Sequence, residues 1–137
     1  MAEERKEYKI REDQLGEIQI ADEVVAIIAG LAATEVEGVD SMVGNITNEI
    51  VSKLGMKNLS KGVRISMEGG KVSVALALNI AYGYSIPEVS GKVQEKVKNA
   101  IENMTGLEVS RVDVRIAEVA MHAGNKSERR IGTGKAT

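Results

Sequence analysis

Apolar and polar residues alternate over residues 63–68 and again over residues 71–82, with Gly69-Gly70 between the two runs. Strict alternation is typical of strands with one buried face, and a glycine pair is typical of a two-residue primed turn. The pattern therefore predicts a β-hairpin with all its large apolar side chains on one face. The predicted cross-strand pairs are Met67 with Val72, Ile65 with Val74, and Val63 with Leu76.

Helical spacing of apolar residues predicts two main helices, one on each side of the hairpin in the chain. The second begins at a capping box, residues 85–88, runs to about residue 104 and has a single apolar stripe. The first, residues 22–37, is apolar around nearly its whole circumference. It either packs tightly among its own neighbours or contacts a second subunit through Val24 or Ile27.

Two further strands, residues 16–20 and 109–119, complete the order strand, helix, strand, strand, helix, strand. A short extra helix is predicted over residues 46–54. This βαββαβ order predicts an α/β (α+β) two-layer sandwich, in which a four-stranded mixed sheet carries both main helices on one face. The predicted divisions are a charged, mostly flexible arm at 1–14, a single domain at 15–122 and a disordered tail at 123–137.

The composition is poor in side chains that carry out chemistry. The 137 residues include no Cys, Phe or Trp and a single histidine, His122. Catalysis needs a nucleophile or a tunable base in a pocket, and a metal site needs three or four convergent ligands. We therefore predict a protein that is not an enzyme, holds no metal or cofactor, and works by binding.

Charge and hydropathy restrict the partners and the compartment. A formal charge of −2 and a pI near 5.6 argue against a general nucleic-acid binder, which usually carries a basic excess. Five of the first seven residues are charged, and no apolar run reaches the ~18 residues of a transmembrane helix. We expect a cytoplasmic protein without direct membrane insertion.

Two surface groups are candidates for binding. The outer face of the second hairpin strand has a row of alanines that includes Ala75 and Ala77. This flat face could be covered by the arm or by a second subunit, so these alanines join Val24 and Ile27 as candidate self-association residues. A basic group in and beside the loop that precedes the hairpin consists of Lys53, Lys57, Lys61 and Arg64.

The basic group could contact anionic lipid or nucleic acid. Each basic residue near an anionic membrane contributes about 1 kcal/mol, so the four supply about 4 kcal/mol at best. The overall negative charge of the protein opposes even this contribution. A solvated loop is the simpler interpretation of the group.

Several short motifs together resemble the alkaline shock protein family of bacteria. Their order and spacing carry the resemblance, which covers about residues 8–121. At one position the chain departs from the family, because Ala75 stands where relatives often have an acidic residue. The motifs are Gly16-Glu-Ile-Gln-Ile-Ala-Asp-Glu-Val-Val, Glu37-Gly-Val39, Lys61-Gly-Val63, Tyr82-Gly-Tyr-Ser-Ile-Pro-Glu-Val89, Met104-Thr-Gly-Leu107 and Val112-Asp-Val-Arg-Ile116.

The resemblance implies a protein without known catalytic activity that serves envelope-stress homeostasis and is held near the membrane through a partner. A related branch implies a link to acetyl-CoA carboxylase and fatty acid synthesis. We expect a self-associating protein that binds a protein partner at the cytoplasmic side of the envelope. The partner is either a membrane-anchored protein or acetyl-CoA carboxylase. Two alternatives stay open: a regulator of acetyl-CoA carboxylase, and a small-metabolite-sensing domain.

Overall fold

A computed structural model describes residues 6–43 and 60–121, which form six strands and two helices. It confirms the predicted fold class, a mixed four-stranded sheet with two main helices packed on it. The predicted short helix at 46–54 and the tail at 123–137 lie outside the described residues. In chain order the elements are β1 (Glu7–Asp13), β2 (Gly16–Ala21), α1 (Asp22–Thr34), β3 (Val39–Met42), β4 (Val63–Glu68), β5 (Lys71–Ala81), α2 (Ile86–Thr105) and β6 (Val109–Ala120).

Strand β5 is the centre of the four-stranded sheet. Strand β6 pairs with it in parallel over residues 72–81, while β4 and β3 pair antiparallel with its first and second halves. Because a strand has only two edges, β4 and β3 follow one another along the edge opposite β6. The predicted hairpin register is confirmed, with Met67 opposite Val72, Ile65 opposite Val74 and Val63 opposite Leu76.

The inner face of the sheet, defined as the face that carries the large apolar side chains of β5, forms the core with both helices. Buried residues of α1 and α2 belong to the same apolar cluster as this face. The five inner residues of β5 are at most 3% exposed: Val72, Val74, Leu76, Leu78 and Ile80. The opposite, outer face carries small and polar side chains.

The boundaries of the two helices follow from their caps. Helix α2 begins as predicted, because the Ser85 hydroxyl accepts a hydrogen bond from the backbone N–H of Glu88 at 3.3 Å. It ends at Gly106, which has a φ of 78°. Helix α1 is shorter than predicted and ends at Thr34. Within the described ranges, neither helix is long and apolar enough to cross a membrane.

The N-terminal strands pair differently from the prediction. Strand β2 pairs with β1 in a separate antiparallel hairpin rather than with the main sheet. Residues 7–13 of the predicted arm form strand β1, and Tyr8 and Ile10 of this strand pack against the core. The fourth strand of the main sheet is instead β3, whose four residues are too few to show an alternating pattern.

Strand β6 has a one-residue irregularity near its C-terminal end. Leu78 of β5 pairs with Ile116, and the next residue, Asn79, pairs with Glu118. Ala117 is therefore an extra residue, and the alternation of faces shifts by one position beyond it. As a result Glu118 falls on the outer face together with the charged residues that precede the bulge.

Two glycines with nearly the same φ provide a test of packing between the turn that joins α1 to β3, helix α2 and the loop before α2. Gly38 and Gly83 have φ values of 102° and 100°. A Cβ at Gly38 would lie 2.6 Å from Cγ2 of Val89 and 3.0 Å from the Tyr84 ring, whereas one at Gly83 meets nothing within 4 Å. We expect Gly38→Ala to lower the free energy of unfolding by about 1–3 kcal/mol more than Gly83→Ala does. Urea denaturation measures both, and equal losses would contradict the close approach.

The hydroxyl group of Tyr8 provides a second test. The side chain is 8% exposed, and within the described residues the hydroxyl is buried without a hydrogen-bond partner. Burial, and secondarily the charge of Asp22, raises the pKa of Tyr8. Because an unsatisfied buried hydroxyl is costly, we expect Tyr8→Phe to raise the free energy of unfolding by about 1 kcal/mol.

Tyr84→Phe is the matched control for Tyr8→Phe. The Tyr84 hydroxyl donates a hydrogen bond to Oε2 of Glu37 at 3.2 Å, so its removal should lower the free energy of unfolding instead. Thermal or urea denaturation of the two variants compares the signs directly. A destabilised Tyr8→Phe protein would show that the hydroxyl has a stabilising partner after all.

Candidate functional site

The outer face of the sheet contains a depression of about 380 Å³ between β4, β5 and β6. Its middle is formed by Ala75, which is exposed, and Ala77, which is half-buried. Both are flanked by longer side chains because Ala75 pairs with Arg64 on one side and Asp113 on the other, and Ala77 pairs with Arg115. Small residues in the middle and long residues at the sides produce the concave shape.

The lining of the depression is mainly cationic. Lys61, Arg64 and Arg115 line it together with one carboxylate, that of Asp113. Asp113 Oδ1 accepts hydrogen bonds from Nη2 and Nε of Arg111, at 3.0 and 3.4 Å. This bonding raises the pKa of Arg111 and partly neutralises the carboxylate. The positive charge of the lining is therefore left largely uncompensated.

The edge of β6 that faces away from β5 is the second notable surface. From Asp113 to Ala120 this strand pairs with no other strand in the described part of the chain. Nearer its start, Gln94 of α2 donates a hydrogen bond to the carbonyl of Val112 at 2.9 Å. An unpaired edge offers N–H and C=O groups to another strand.

Exposed apolar side chains lie at the C-terminal end of this edge. Val119 is 43% exposed and Met121 is 70% exposed. Tyr82, which is 66% exposed, donates its backbone N–H to the carbonyl of Ala120 and therefore lies beside them. The three residues form an apolar patch next to the unpaired edge.

Residues 10–121, from within β1 through the end of β6, match the alkaline shock protein 23 family, which is described as having a cell envelope-related function. The chain belongs to the alkaline shock protein family. The resemblance carried by the short motifs is thereby confirmed, and the match includes both the depression and the edge of β6.

Relatives of this alkaline shock protein include proteins of Bacillus subtilis and Streptococcus pyogenes. The uncharacterized protein YqhY of Bacillus subtilis is 35% identical over 105 residues, which cover 77% of this chain and 78% of that protein. The uncharacterized protein YloU of the same organism is 33% identical, over 76% of this chain and 88% of YloU. A stress response regulator Gls24 homologue of Streptococcus pyogenes is 28% identical, over 76% of this chain and 59% of that protein.

Solved structures related to this alkaline shock protein are more distant. One variant of the MamM CTD aligns with 72% of this chain and 98% of its own, at 14% identity and a TM-score of 0.45. A likeness at this level carries no functional assignment.

The structure separates the residues that were predicted for self-association. Val24 is 43% exposed and Ile27 is partly buried against the core, and both belong to α1 on the inner side of the sheet. Ala75 and Ala77 lie on the outer face. Because the sheet stands between the two pairs, one flat partner surface cannot cover both, and a role for either pair stays a prediction.

The structure also regroups the predicted basic residues. Lys61 and Arg64 line the depression together with the two alanines, although the sequence pattern assigned them to a different group. Lys53 and Lys57 lie outside the described residues, as does His122. Asp113 and Arg115 belong to the predicted strand 109–119 but were not among the candidate binding residues. Their place beside the alanines depends on the parallel pairing of β5 and β6, for which local patterns carry no signal.

Proposed function

We propose that this alkaline shock protein is a self-associating binding module that serves cell-envelope stress homeostasis without catalysis. The family description supports the connection to the envelope, and the name of the Gls24 homologue supports the connection to stress. In this proposal the protein acts on the cytoplasmic side of the envelope and is held there by a protein partner. The unpaired edge of β6 is the observation that carries the self-association.

A second copy of the same strand is the partner that fits this edge best. The outer face of β6 carries alternating charges, in the order Arg111, Asp113, Arg115 and Glu118. Two copies in antiparallel orientation, centred on Val114, place each charge opposite the contrary charge. Asp113 then faces Arg115. Counting from Val114 would place Arg111 opposite residue 117, but Ala117 is the extra residue of the bulge, so Arg111 faces Glu118. Opposite charges directly across two strands stabilise the pairing.

Apolar residues support the same arrangement on the inner face. Antiparallel pairing centred on Val114 places Val112 opposite Ile116 and brings the two Val114 side chains together. Val114 and Ile116 are half-buried in the single chain, so pairing removes apolar surface from water. The edge would thus gain backbone hydrogen bonds, charge pairs and apolar contacts from one and the same register.

A charge-reversal experiment tests the self-association. Glu118→Arg places a positive charge opposite Arg111 of the other copy, and the two-fold symmetry repeats this contact. We therefore expect the dimer dissociation constant to rise about tenfold or more. The double variant Arg111→Glu, Glu118→Arg restores opposite charges and should recover most of the lost affinity. Sedimentation velocity over about 1–100 μM, with circular dichroism to verify folding, measures both effects.

Two outcomes of the sedimentation experiment would contradict the proposed interface. The first is a wild-type protein that stays monomeric over the whole concentration range. The second is a dimer whose stability is the same in the single and double variants. Met104→Lys is the matched control, because Met104 is 70% exposed on α2 and has no place in the β6 pairing.

Growth under envelope stress tests the cellular part of the proposal. A deletion strain exposed to a cell-wall antibiotic should grow poorly and should recover with the wild-type gene or the double variant, but not with Glu118→Arg. Equal growth of the deletion and wild-type strains would contradict the envelope role. Recovery with Glu118→Arg would separate the envelope role from self-association through β6.

A second candidate function, the sensing of a small metabolite, is favoured by the depression on the outer face. Its volume of about 380 Å³ falls within the range of small-molecule sites, which is roughly 300–1,000 Å³. The two functions share Arg115, which lines the depression and in the proposed dimer lies opposite Asp113 of the second copy.

A further inference from the structure

We infer that the depression bounded by Lys61, Arg64 and Arg115 binds a phosphate group. The phosphate belongs either to a free phosphorylated compound or to the headgroup of an anionic lipid. This inference names a ligand chemistry for the metabolite-sensing candidate and does not depend on self-association through β6.

The first argument is that, within the single chain, the arginines of the depression have no ion-pair partner among the described residues. The described part of the chain contains four arginines, and two of them, Arg11 and Arg111, form ion pairs with Asp13 and Asp113. Arg64 and Arg115 form no ion pair with any described residue, and both line the depression. Guanidinium groups bind phosphate through paired hydrogen bonds, and these two are available to do so.

The second argument is the spacing of the cations. Arg64 and Arg115 lie on strands at either side of β5 and are offset by two residues along it, so their backbones are about 12 Å apart. Only the methyl groups of Ala75 and Ala77 stand between them. An anion resting on these alanines is within reach of both long side chains, and Lys61 lies beside it at the start of β4.

The third argument is that the local charge is opposite to that of the whole protein. The complete chain has a formal charge of −2, whereas the depression brings together three cations and one carboxylate that is already bonded to Arg111. The long-range electrostatic interaction between an acidic protein and an anion is repulsive. Binding of phosphate must therefore come from this local arrangement, which makes it sensitive to single substitutions.

Titration calorimetry with inorganic pyrophosphate, at about 50 mM salt, tests the site on the full chain. We expect Arg64→Ala to weaken binding about tenfold or more, because a charged hydrogen bond is lost. Ala75→Leu should weaken binding by a similar factor while it leaves every charge in place, since the larger side chain fills the depression. Lys92→Ala is the matched control: Lys92 is exposed on α2, has no ion pair within the described ranges, and its loss should change affinity less than twofold.

Vesicle flotation distinguishes the two sources of phosphate. The protein is mixed with phosphatidylcholine vesicles that either contain or lack phosphatidylglycerol. Pyrophosphate binding that is sensitive to Arg64→Ala and Ala75→Leu supports a free phosphorylated ligand. Flotation only with phosphatidylglycerol, with the same sensitivity to both variants, supports a lipid headgroup.

Three results would overturn the inference. They are no binding to either probe, binding that Ala75→Leu leaves unchanged, and an equal loss in Lys92→Ala and Arg64→Ala. The last two would indicate diffuse attraction to surface charge. If Ala75→Leu does not fold, Ala77→Leu fills the neighbouring part of the depression and serves the same purpose.

Discussion

Strand β5 pairs with neighbours along both of its edges, and its period of two residues therefore determines which side of the whole sheet meets the helices. Its inner side chains are almost completely buried beneath α1 and α2. The same register determines which side chains of β5 lie on the outer face, and these must suit the contacts that the outer face makes. A shift of β5 by one residue would bury its alanines and expose its aliphatic residues, so the core and the outer depression depend on a single register.

The parts of the fold that were predictable are those set by local patterns. The β4–β5 hairpin has a strict alternation and a glycine turn, and α2 has a capping box and a terminal glycine. Strand β3 could not be predicted, because its four residues become a strand only through pairing with the far end of β5. The pairing of β1 with β2 was missed because its charged residues suggested solvent exposure, while the buried Tyr8 and half-buried Ile10 carry the contact with the core.

The candidate site was predictable only in fragments. Lys61 and Arg64 were noticed for their charge, and Ala75 and Ala77 for their small size. Their union in one depression follows from a hairpin register that was itself predicted. The contribution of Arg115 required the parallel pairing of β6 with β5, which joins residues almost 40 positions apart through an intervening helix. Local sequence patterns contain no information on that register.

The proposed dimer and the proposed phosphate site both use the outer face of β6, and Arg115 belongs to both. Antiparallel edge pairing relates two copies by a two-fold axis perpendicular to the sheet, and the outer faces of both copies then point in the same direction. The two depressions would open on one continuous surface. A ligand with two phosphate groups, or a surface with many, could engage both copies together.

The extra residue Ala117 has a consequence for how this surface tolerates changes in chain length. Ahead of it the outward positions of β6 have odd numbers, and behind it they have even numbers. Deletion of this one alanine would remove the bulge but leave Glu118 paired with Asn79 and Val119 paired with Ile80, so both side chains would keep their faces. The strand should therefore tolerate the loss of this residue more readily than the loss of a residue from its regularly alternating part.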